Sequence, residues 1–397
     1  MQKIDTWQPP LPYSPSGTSW VHALGATGKP VGAIPFDQIW CRAEQVGEAL
    51  DYDRYSLAAA LIAAGKFVHP AKDPQFLGSR FEYALRLDPE RYRERLAGQT
   101  KACAVETLTG EIEDVEPGPS GVRALLLSGG HRVEADFFLD CTGPTARVLS
   151  ALDDSFEDWS QWMPLDRLLV ESGARGGLPA IADRVRATDE GWSIEWQLPE
   201  RTMRATLRAA GEGLPISRGR RLRPFVRNVL ALGDAAVALD PLHGMGLDLA
   251  HRMILLALEL LPGRDFPAAE TDEYNRRAEQ LTRRVRDFIA LHYLRSGRQG
   301  DPWSVSSAQD LPDSLALSLD QYEYRGRLPF HEEESVSRDS WASVLIGLGI
   351  RPGHVDPQVA EVPLERASAA MSQLAHEIDA LVARLPSYAD YLGQLRG

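Results

Sequence analysis

The residues best suited to chemistry lie in the stretch NVLALGDAAVALDPLHGMGLDLAH, which spans positions 228 to 251. Its apolar run VLAL predicts a strand buried on both faces, and Gly233 and Asp234 follow where that strand should end. Sheets of α/β proteins bind ligands at such strand ends. Because a carboxylate there can accept hydrogen bonds from the hydroxyl groups of a sugar-like ligand, the pattern indicates a ligand site.

The residues that follow leave room for a ligand before the chain enters a helix. Ala235 and Ala236 are small, so a flat or extended ligand could lie against the backbone, and Gly244 and Gly246 allow a tight turn. We expect a helix to begin near Leu247, where free N–H groups and the helix dipole would stabilise negative charge on a ligand. Taken alone, a Gly-Asp pair is better explained by a plain turn between strand and helix.

A second strand end shifts the balance towards a ligand site. The segment FFLDCTG also predicts an apolar strand, and it ends in Asp140 and Gly143. Two buried strands that end in Asp and Gly within one chain are less easily explained by turn geometry alone. The pair of strand ends therefore favours a ligand site over a plain turn.

Composition limits the possible partners. The chain has 397 residues, of which 44% are hydrophobic and 25% charged, as in soluble globular proteins with more than one core. A net charge of −13 argues against nucleic acid or an anionic membrane as partner. The three cysteines lack disulfide or zinc spacing, and the first residues, MQKIDTWQPPLPYSPSG, lack the apolar run of a signal peptide. The most apolar later run, MILLALELL, is far shorter than a membrane span requires. We expect a reduced, cytoplasmic setting.

The elements that must position these residues alternate between helices and strands. Residues 1 to 20 predict a loop, and residues 57 to 66 and 89 to 100 predict short helices. From about 105 to 143 the pattern is a strand meander, in which Gly129 and Gly130 form a hairpin turn and HRVEADFFLDCTG is the last strand.

The second half of the chain changes from strands to helices. Residues 156 to 170 and 190 to 208 predict a sheet packed over a pocket, and the pattern is mainly helical from Ala268 onward. A final amphipathic helix is indicated by an apolar stripe formed by Ala367, Met371, Leu374, Ile378 and Leu381.

Several of these segments resemble the flavin-dependent tryptophan halogenase family, which belongs to the flavoprotein monooxygenases. The resemblance covers nearly the whole chain. It is carried by ADFFLDCTG (135 to 143), FEDWSQWMPLDR (156 to 167), GWSIEWQLP (191 to 199), GRRLRPFVRNVLALGDAAVALDPLHGMGL (219 to 247), VRDFIALHYLRSGRQGDPW (285 to 303), IGLGIRP (346 to 352) and LPSYADYL (385 to 392).

The resemblance implies a mixed α/β (α+β) fold, with an incomplete Rossmann-like FAD-binding domain, an antiparallel substrate sheet and a helical C-terminal region. The implied parts are a substrate-domain-like segment (1–98), flavin-binding parts (99–150 and 216–265), the substrate sheet (151–215) and the helical region (266–397). It also implies a separate flavin reductase and a small aromatic substrate. The oligomeric state stays open, and a homodimer is one candidate.

The resemblance further implies particular site residues. FAD would be held by residues at both strand ends and in the loop before the helix, namely Gly233, Asp234, Ala235, Pro241, Gly244, Met245, Gly246 and Leu247, with Asp140 and Gly143 nearby. Trp192 and Trp196 could form the wall of an aromatic substrate site or fill the core between sheet and helices. The arginines of SRGRRLRP (217 to 224) could approach an FAD phosphate, but we expect a solvated strand face.

The sequence also departs from the family pattern. Family members hold the ADP diphosphate with a strand, a GxGxxG loop and a helix, and we expect that unit and a catalytic lysine upstream of Met1, in roughly a hundred further residues. The family loop Pro-Leu-Glu-Ser-Thr-Gly reads Pro241-Leu242-His243-Gly244-Met245-Gly246 here, without the glutamate and the threonine.

This departure leaves the reaction open. The small-residue loop resembles that of aromatic hydroxylases, and His243 could act there as an acid or base, because imidazole titrates near neutral pH. A histidine that only satisfies loop backbone groups is an equal alternative. The leading hypothesis is an FAD-dependent monooxygenase that hydroxylates or halogenates an aromatic or indolic substrate. The alternative is a non-catalytic homologue or partner subunit that does not bind FAD alone.

Overall fold

The computed structural model describes most of the chain, and the loop predicted over residues 1 to 20 lies outside the described residues except for Trp20, which is in a strand. The described residues are 20–21, 27–73, 76–80, 88–103, 105–174, 176–177, 180–198, 200–263, 266–304 and 310–394.

The strands are short and concentrate between residues 112 and 238. In chain order they are β1 (Trp20–Val21), β2 (Ile112–Gly118), β3 (Gly121–Leu127), β4 (His131–Glu134), β5 (Phe138–Asp140), β6 (Phe156–Asp158), β7 (Arg167–Ala174), β8 (Arg184–Thr188), β9 (Gly191–Gln197), β10 (Arg201–Arg208), β11 (Leu214–Pro215), β12 (Gly219–Arg221), β13 (Phe225–Val226), β14 (Val229–Ala231) and β15 (Val237–Ala238).

The helices occupy both ends of the chain, and the predicted helical C-terminal region is confirmed. They are α1 (Phe36–Gln45), α2 (Leu57–Ala64), α3 (Pro89–Ala102), α4 (Met245–Glu259), α5 (Ala268–Leu294), α6 (Asp313–Arg325), α7 (Arg338–Gly347), α8 (Pro357–Ala360), α9 (Leu364–Arg384) and α10 (Tyr388–Gln394). Every residue of the predicted apolar stripe in α9 is buried.

The strands form separate sheets. The largest is antiparallel with the order β1-β8-β9-β10-β7-β11. It contains the predicted strands near residues 167 to 170 and 190 to 208, but residues 156 to 158 form β6, which belongs to a different sheet. Smaller sheets have the orders β2-β3-β4, β15-β12-β6 and β13-β14-β5. The mixture of sheets and helices matches the predicted α/β class.

The sheet that matters most for the site contains one parallel pair. β14 runs parallel to β5, with Val229 opposite Phe138 and Ala231 opposite Asp140. All three residues of β14 are buried, as the run VLAL predicted. The two strands that end in Asp and Gly are therefore neighbours, and their carboxyl ends meet at one sheet edge.

One strand prediction was wrong. The segment HRVEADFFLDCTG is not a single strand, because β4 belongs to the meander and β5 to the parallel pair. The break at residues 135 to 137 is held by Asn228, whose side-chain N–H donates to the carbonyl of Asp136 at 3.3 Å and to that of Val122 at 2.8 Å. A side chain from the distant strand region thus redirects the chain, which local alternation cannot reveal.

The core consists of two clusters. The larger one joins β5, β14, the large sheet, α4 and the buried second half of α5, where residues 284 to 294 are all buried. The smaller one joins α1 and α2 to α9 and α10. No helix within the described ranges is long and apolar enough to cross a membrane.

Candidate functional site

Glycines leave the backbone open where β5 and β14 end and where α4 begins. Gly143, Gly233 and Gly244 have φ angles of +77°, +59° and +64°, a region that favours glycine. At each of them, no heavy atom lies within 4 Å of the place where a Cβ would stand. These three residues, here called the glycine cradle, leave backbone accessible to a flat ligand along one edge of the sheet.

The two predicted carboxylates have different surroundings. Asp140 is completely buried, and four groups donate to its oxygens: the N–H and hydroxyl of Thr142 at 2.9 and 2.7 Å, and the N–H groups of Val148 and Leu149 at 2.9 and 2.8 Å. Asp140 therefore organises the turn after β5. Asp234 lies at the surface, and partial burial alone raises the pKa of its carboxyl. Of the two, Asp234 is the one whose oxygens can accept from a ligand.

The loop that follows β15 is anchored by a buried carboxylate that sequence reasoning missed. Asp240 is completely buried, accepts from the N–H of Leu242 at 2.8 Å and accepts from the hydroxyl of Tyr293 on α5. The indole N–H of Trp192 donates to the same hydroxyl at 2.8 Å. Burial raises the pKa of Asp240 to about 6. This polar chain ties the loop to α5 and to β9.

His243 points inward from the same loop. It has a φ angle of +63° and is 6% exposed. Its Nε2 lies 2.9 Å from Nε2 of His292 on α5, and both rings contact the ring of Phe288. Nδ1 of His292 donates to the Phe288 carbonyl at 2.8 Å. Sequence reasoning missed His292, although a His-Tyr pair within the apolar segment FIALHYL was a signal.

The helix predicted near Leu247 begins at Met245. Gly244 is its N-cap in the left-handed conformation, and the N–H of Gly244 donates to the carbonyl of Pro241 at 2.9 Å. Met245 is buried, whereas Gly246 and Leu247 are exposed. The first turn of this 15-residue helix therefore begins directly after Gly244 of the glycine cradle, and the positive end of the helix dipole favours negative charge there.

The two tryptophans considered for the substrate wall lie in β9. Trp192 is completely buried, and its N–H is bonded within the polar chain described above, so the structure places it in the core instead of on an open wall. Trp196 is partly buried and pairs with Met203 across the sheet. Trp192 reaches the site indirectly, through Tyr293, rather than by touching a ligand.

The expectation of solvated arginines before β13 was wrong for two of them. Arg220 is 3% exposed and pairs with Glu157 at 2.7 Å. Arg221 is buried, and it donates to the carbonyls of Pro144 and Thr145 at 3.1 Å each. These guanidinium groups are buried because carboxylates and carbonyls accept their hydrogen bonds. Arg221 holds β12 against the turn that follows Gly143, and Arg220 holds it against β6.

Comparisons with known proteins agree on one family. The tryptophan halogenase family model matches residues 5–206 and 200–364. A tryptophan 6-halogenase of Streptomyces albogriseolus is 26% identical over 92% of this chain and 77% of that protein. A 7-chloro-L-tryptophan 6-halogenase of Kutzneria sp. is 24% identical over 80% of this chain and 68% of that protein.

Solved structures support the same fold. A flavin-dependent halogenase from Brevundimonas sp. BAL3 is 30% identical, with a TM-score of 0.88 over 95% of this chain and 83% of that one. A flavin-dependent halogenase from Xanthomonas campestris is 27% identical, with a TM-score of 0.85 over 95% of this chain and 80% of that one. The mixed α/β fold and the flavin cofactor predicted from the sequence are confirmed by these matches.

Proposed function

The chain belongs to the tryptophan halogenase family, and from that premise we propose that it oxidises an aromatic, indole-containing substrate with reduced FAD and O2. The observation that carries the proposal is the glycine cradle, whose residues follow β5 and β14 and precede α4. Its backbone is open at three left-handed glycines, and Asp234, directly after Gly233, places a surface carboxylate beside it.

The residues present fit the ring and ribityl end of FAD. Gly233, Asp234 and Ala235 would lie along the ribityl chain, where the Asp234 carboxylate accepts from hydroxyl groups. Pro241 and the backbone from Gly244 to Leu247 would face the ring, where the N-terminus of α4 favours negative charge. Asp140 supports this arrangement from inside, because it holds the turn that carries Gly143.

Bound reduced FAD supplies two electrons to O2, so that one oxygen atom leaves as water and the other oxidises a halide ion or the substrate ring. The protein has to position the ring and remove the proton that the incoming group replaces. We assign that proton transfer to His243, whose imidazole belongs to the residue directly before Gly244 of the glycine cradle. A positioned acid or base contributes a factor of about 10² to 10⁴ to the rate.

Halogenation is the outcome that family membership supports. Hydroxylation is the second candidate, because His243 and Met245 stand where the family resemblance expects the glutamate and the halide-binding threonine. The third possibility is a chain that keeps the fold without catalysis.

Partners and compartment follow from the same proposal. A separate flavin reductase would supply reduced FAD. Cys41, Cys103 and Cys141 are free thiols, which supports a reducing compartment such as the cytoplasm. A homodimer stays a prediction.

One experiment separates these outcomes. The purified chain is titrated with FAD, then incubated with reduced FAD, O2 and tryptophan or indole, with and without bromide, and the products are identified by mass spectrometry. A brominated product that requires bromide supports halogenation, and an added oxygen atom in both conditions supports hydroxylation. A well-folded chain that binds no FAD and forms neither product would contradict the proposal and favour the non-catalytic alternative.

A matched pair of variants tests the cofactor contacts. Asp234→Ala removes an acceptor, and loss of a hydrogen bond to a charged group should weaken FAD binding roughly ten- to a hundredfold. Asp189→Ala removes a carboxylate whose side chain is fully exposed and should leave FAD affinity unchanged. Equal affinity in both variants would mean that Asp234 does not contact the cofactor.

A further inference from the structure

Two consecutive residues of α5 hold the loop that carries His243. Tyr293 bonds Asp240 at the start of the loop, and His292 bonds His243 three residues later. Both contacts are buried and bridge about 50 residues of sequence. The loop before α4 is therefore positioned by α5 at two points.

The bond pattern determines which nitrogen carries the proton on each histidine. The Phe288 carbonyl can only accept, so Nδ1 of His292 carries a hydrogen at the 2.8 Å contact. A neutral ring then has its lone pair on Nε2. Burial lowers the pKa of His292 to about 4, so this ring is neutral at neutral pH. The 2.9 Å contact between the two Nε2 atoms must therefore be donated by His243.

From this network we propose that His292 is a positioning residue that keeps His243 in the tautomer with its proton on Nε2 and its lone pair on Nδ1. The inference rests on the proposed function, in which His243 accepts a proton. A proton released from the substrate ring carbon would bind Nδ1, while the C–H electron pair restores the aromatic ring and the Nε2–H bond to His292 stays intact.

The surroundings keep the ring in this orientation. The centroid of Phe288 lies 5.5 Å from the ring of His243 and 5.3 Å from that of His292, so the pair is packed against an aromatic wall. A flip of the His243 ring would break the bond to His292 inside a buried site, where an unsatisfied polar group is costly.

The direct test is nuclear magnetic resonance of the chain labelled with ¹⁵N-histidine, at neutral pH and without FAD or substrate. The chain has nine histidines, and His243→Asn identifies the signals of His243. We expect His243 as the neutral Nε2–H tautomer and His292 as the neutral Nδ1–H tautomer. A His243 ring protonated on Nδ1, or a charged His292, would overturn the inference.

Two substitutions at His292 provide the comparison. His292→Gln keeps an acceptor for the His243 N–H and should retain the tautomer, whereas His292→Leu removes the acceptor and should produce a mixture of tautomers. His376→Gln changes an exposed histidine and should leave the His243 signals unchanged. If His292→Leu does not fold, the wild-type and His292→Gln spectra still decide the question. An unchanged His243 tautomer in folded His292→Leu would refute the positioning role.

Turnover distinguishes the inference from the proposed function. In the product assay, His292→Leu should lower kcat by at least about tenfold with little change in KM, while His292→Gln should recover most of the rate. Correct tautomers in an inactive wild-type chain would contradict the proposed function but leave the inference standing. An active wild-type enzyme in which His243 carries its proton on Nδ1 would support the proposed function and contradict the inference.

Discussion

Replacing Asp240 by asparagine should remove a pH-dependent destabilisation of the folded protein. The Asp240 carboxyl is completely buried, and burial raises its pKa to about 6 from an ordinary value of 3.8. The hydrogen bonds from Tyr293 and Leu242 oppose this effect but do not cancel it. The folded protein therefore binds a proton at Asp240 between pH 4 and 6, where the unfolded chain does not.

The sign and size of the effect follow from that pKa difference. A folded-state pKa above the unfolded value stabilises the protein fully below about pH 4, and this contribution is lost as pH rises through about 6. Between those limits the difference corresponds to roughly 3 kcal/mol of unfolding free energy. Asparagine has no proton to lose, so the Asp240→Asn variant lacks this part of the pH dependence.

The measurement is urea unfolding of wild type and Asp240→Asn at several pH values from 4.5 to 8. The difference in unfolding free energy, variant minus wild type, should rise by about 2 kcal/mol across the series, most of the full effect. The substitution also alters hydrogen bonds, which shifts the unfolding free energy of the variant by the same amount at every pH. It therefore does not change how the difference varies with pH. Asp189→Asn, at an exposed carboxylate, should give a flat difference. A flat curve for Asp240→Asn as well would refute the reasoning about its burial.

Three further outcomes are expected. Tyr293→Phe removes the hydroxyl that donates to Asp240 and accepts from the indole N–H of Trp192. The variant should lower the unfolding free energy in urea by about 2 to 4 kcal/mol, and no loss would mean that the hydroxyl is solvated. Gly244→Ala and Gly47→Ala, both at open left-handed glycines, should each cost about 1 kcal/mol of stability, but Gly244→Ala alone should weaken FAD binding in a fluorescence titration. Asp140→Ala leaves four donors without their acceptor, so thermal unfolding should show a loss of about 3 kcal/mol or more, and a smaller loss would mean that water replaces the carboxylate.

Local patterns in the sequence predicted much of the architecture. The run VLAL predicted a doubly buried strand, the apolar stripe of residues 367 to 381 predicted a docked helix, and the turn glycines placed the start of α4 within two residues. These features are encoded over a few neighbouring residues, because side-chain periodicity decides which face of an element can be buried. The family motifs were readable for the same reason, since each is a short contiguous segment.

Polar partners across the fold could not be predicted in this way. Asp140 and Asp234 occupy similar places in their motifs, yet one is saturated by four donors inside the protein and the other faces outward. Arg220 was expected in solvent and is buried beside Glu157, 63 residues away. Whether a charged side chain is buried depends on which partner the fold brings to it, and one stretch of sequence carries no information about that partner.

The sequence by itself determined the elements, the strand ends and the glycines that keep them open, because these depend on local periodicity and backbone freedom. Only the tertiary structure decided the direction of the polar side chains at the site. His243 meets His292 across 49 residues, and Asp240 meets Tyr293 across 53. The chemistry available to the loop is set by these contacts, because a buried hydrogen bond fixes a tautomer or a protonation state that no residue has on its own.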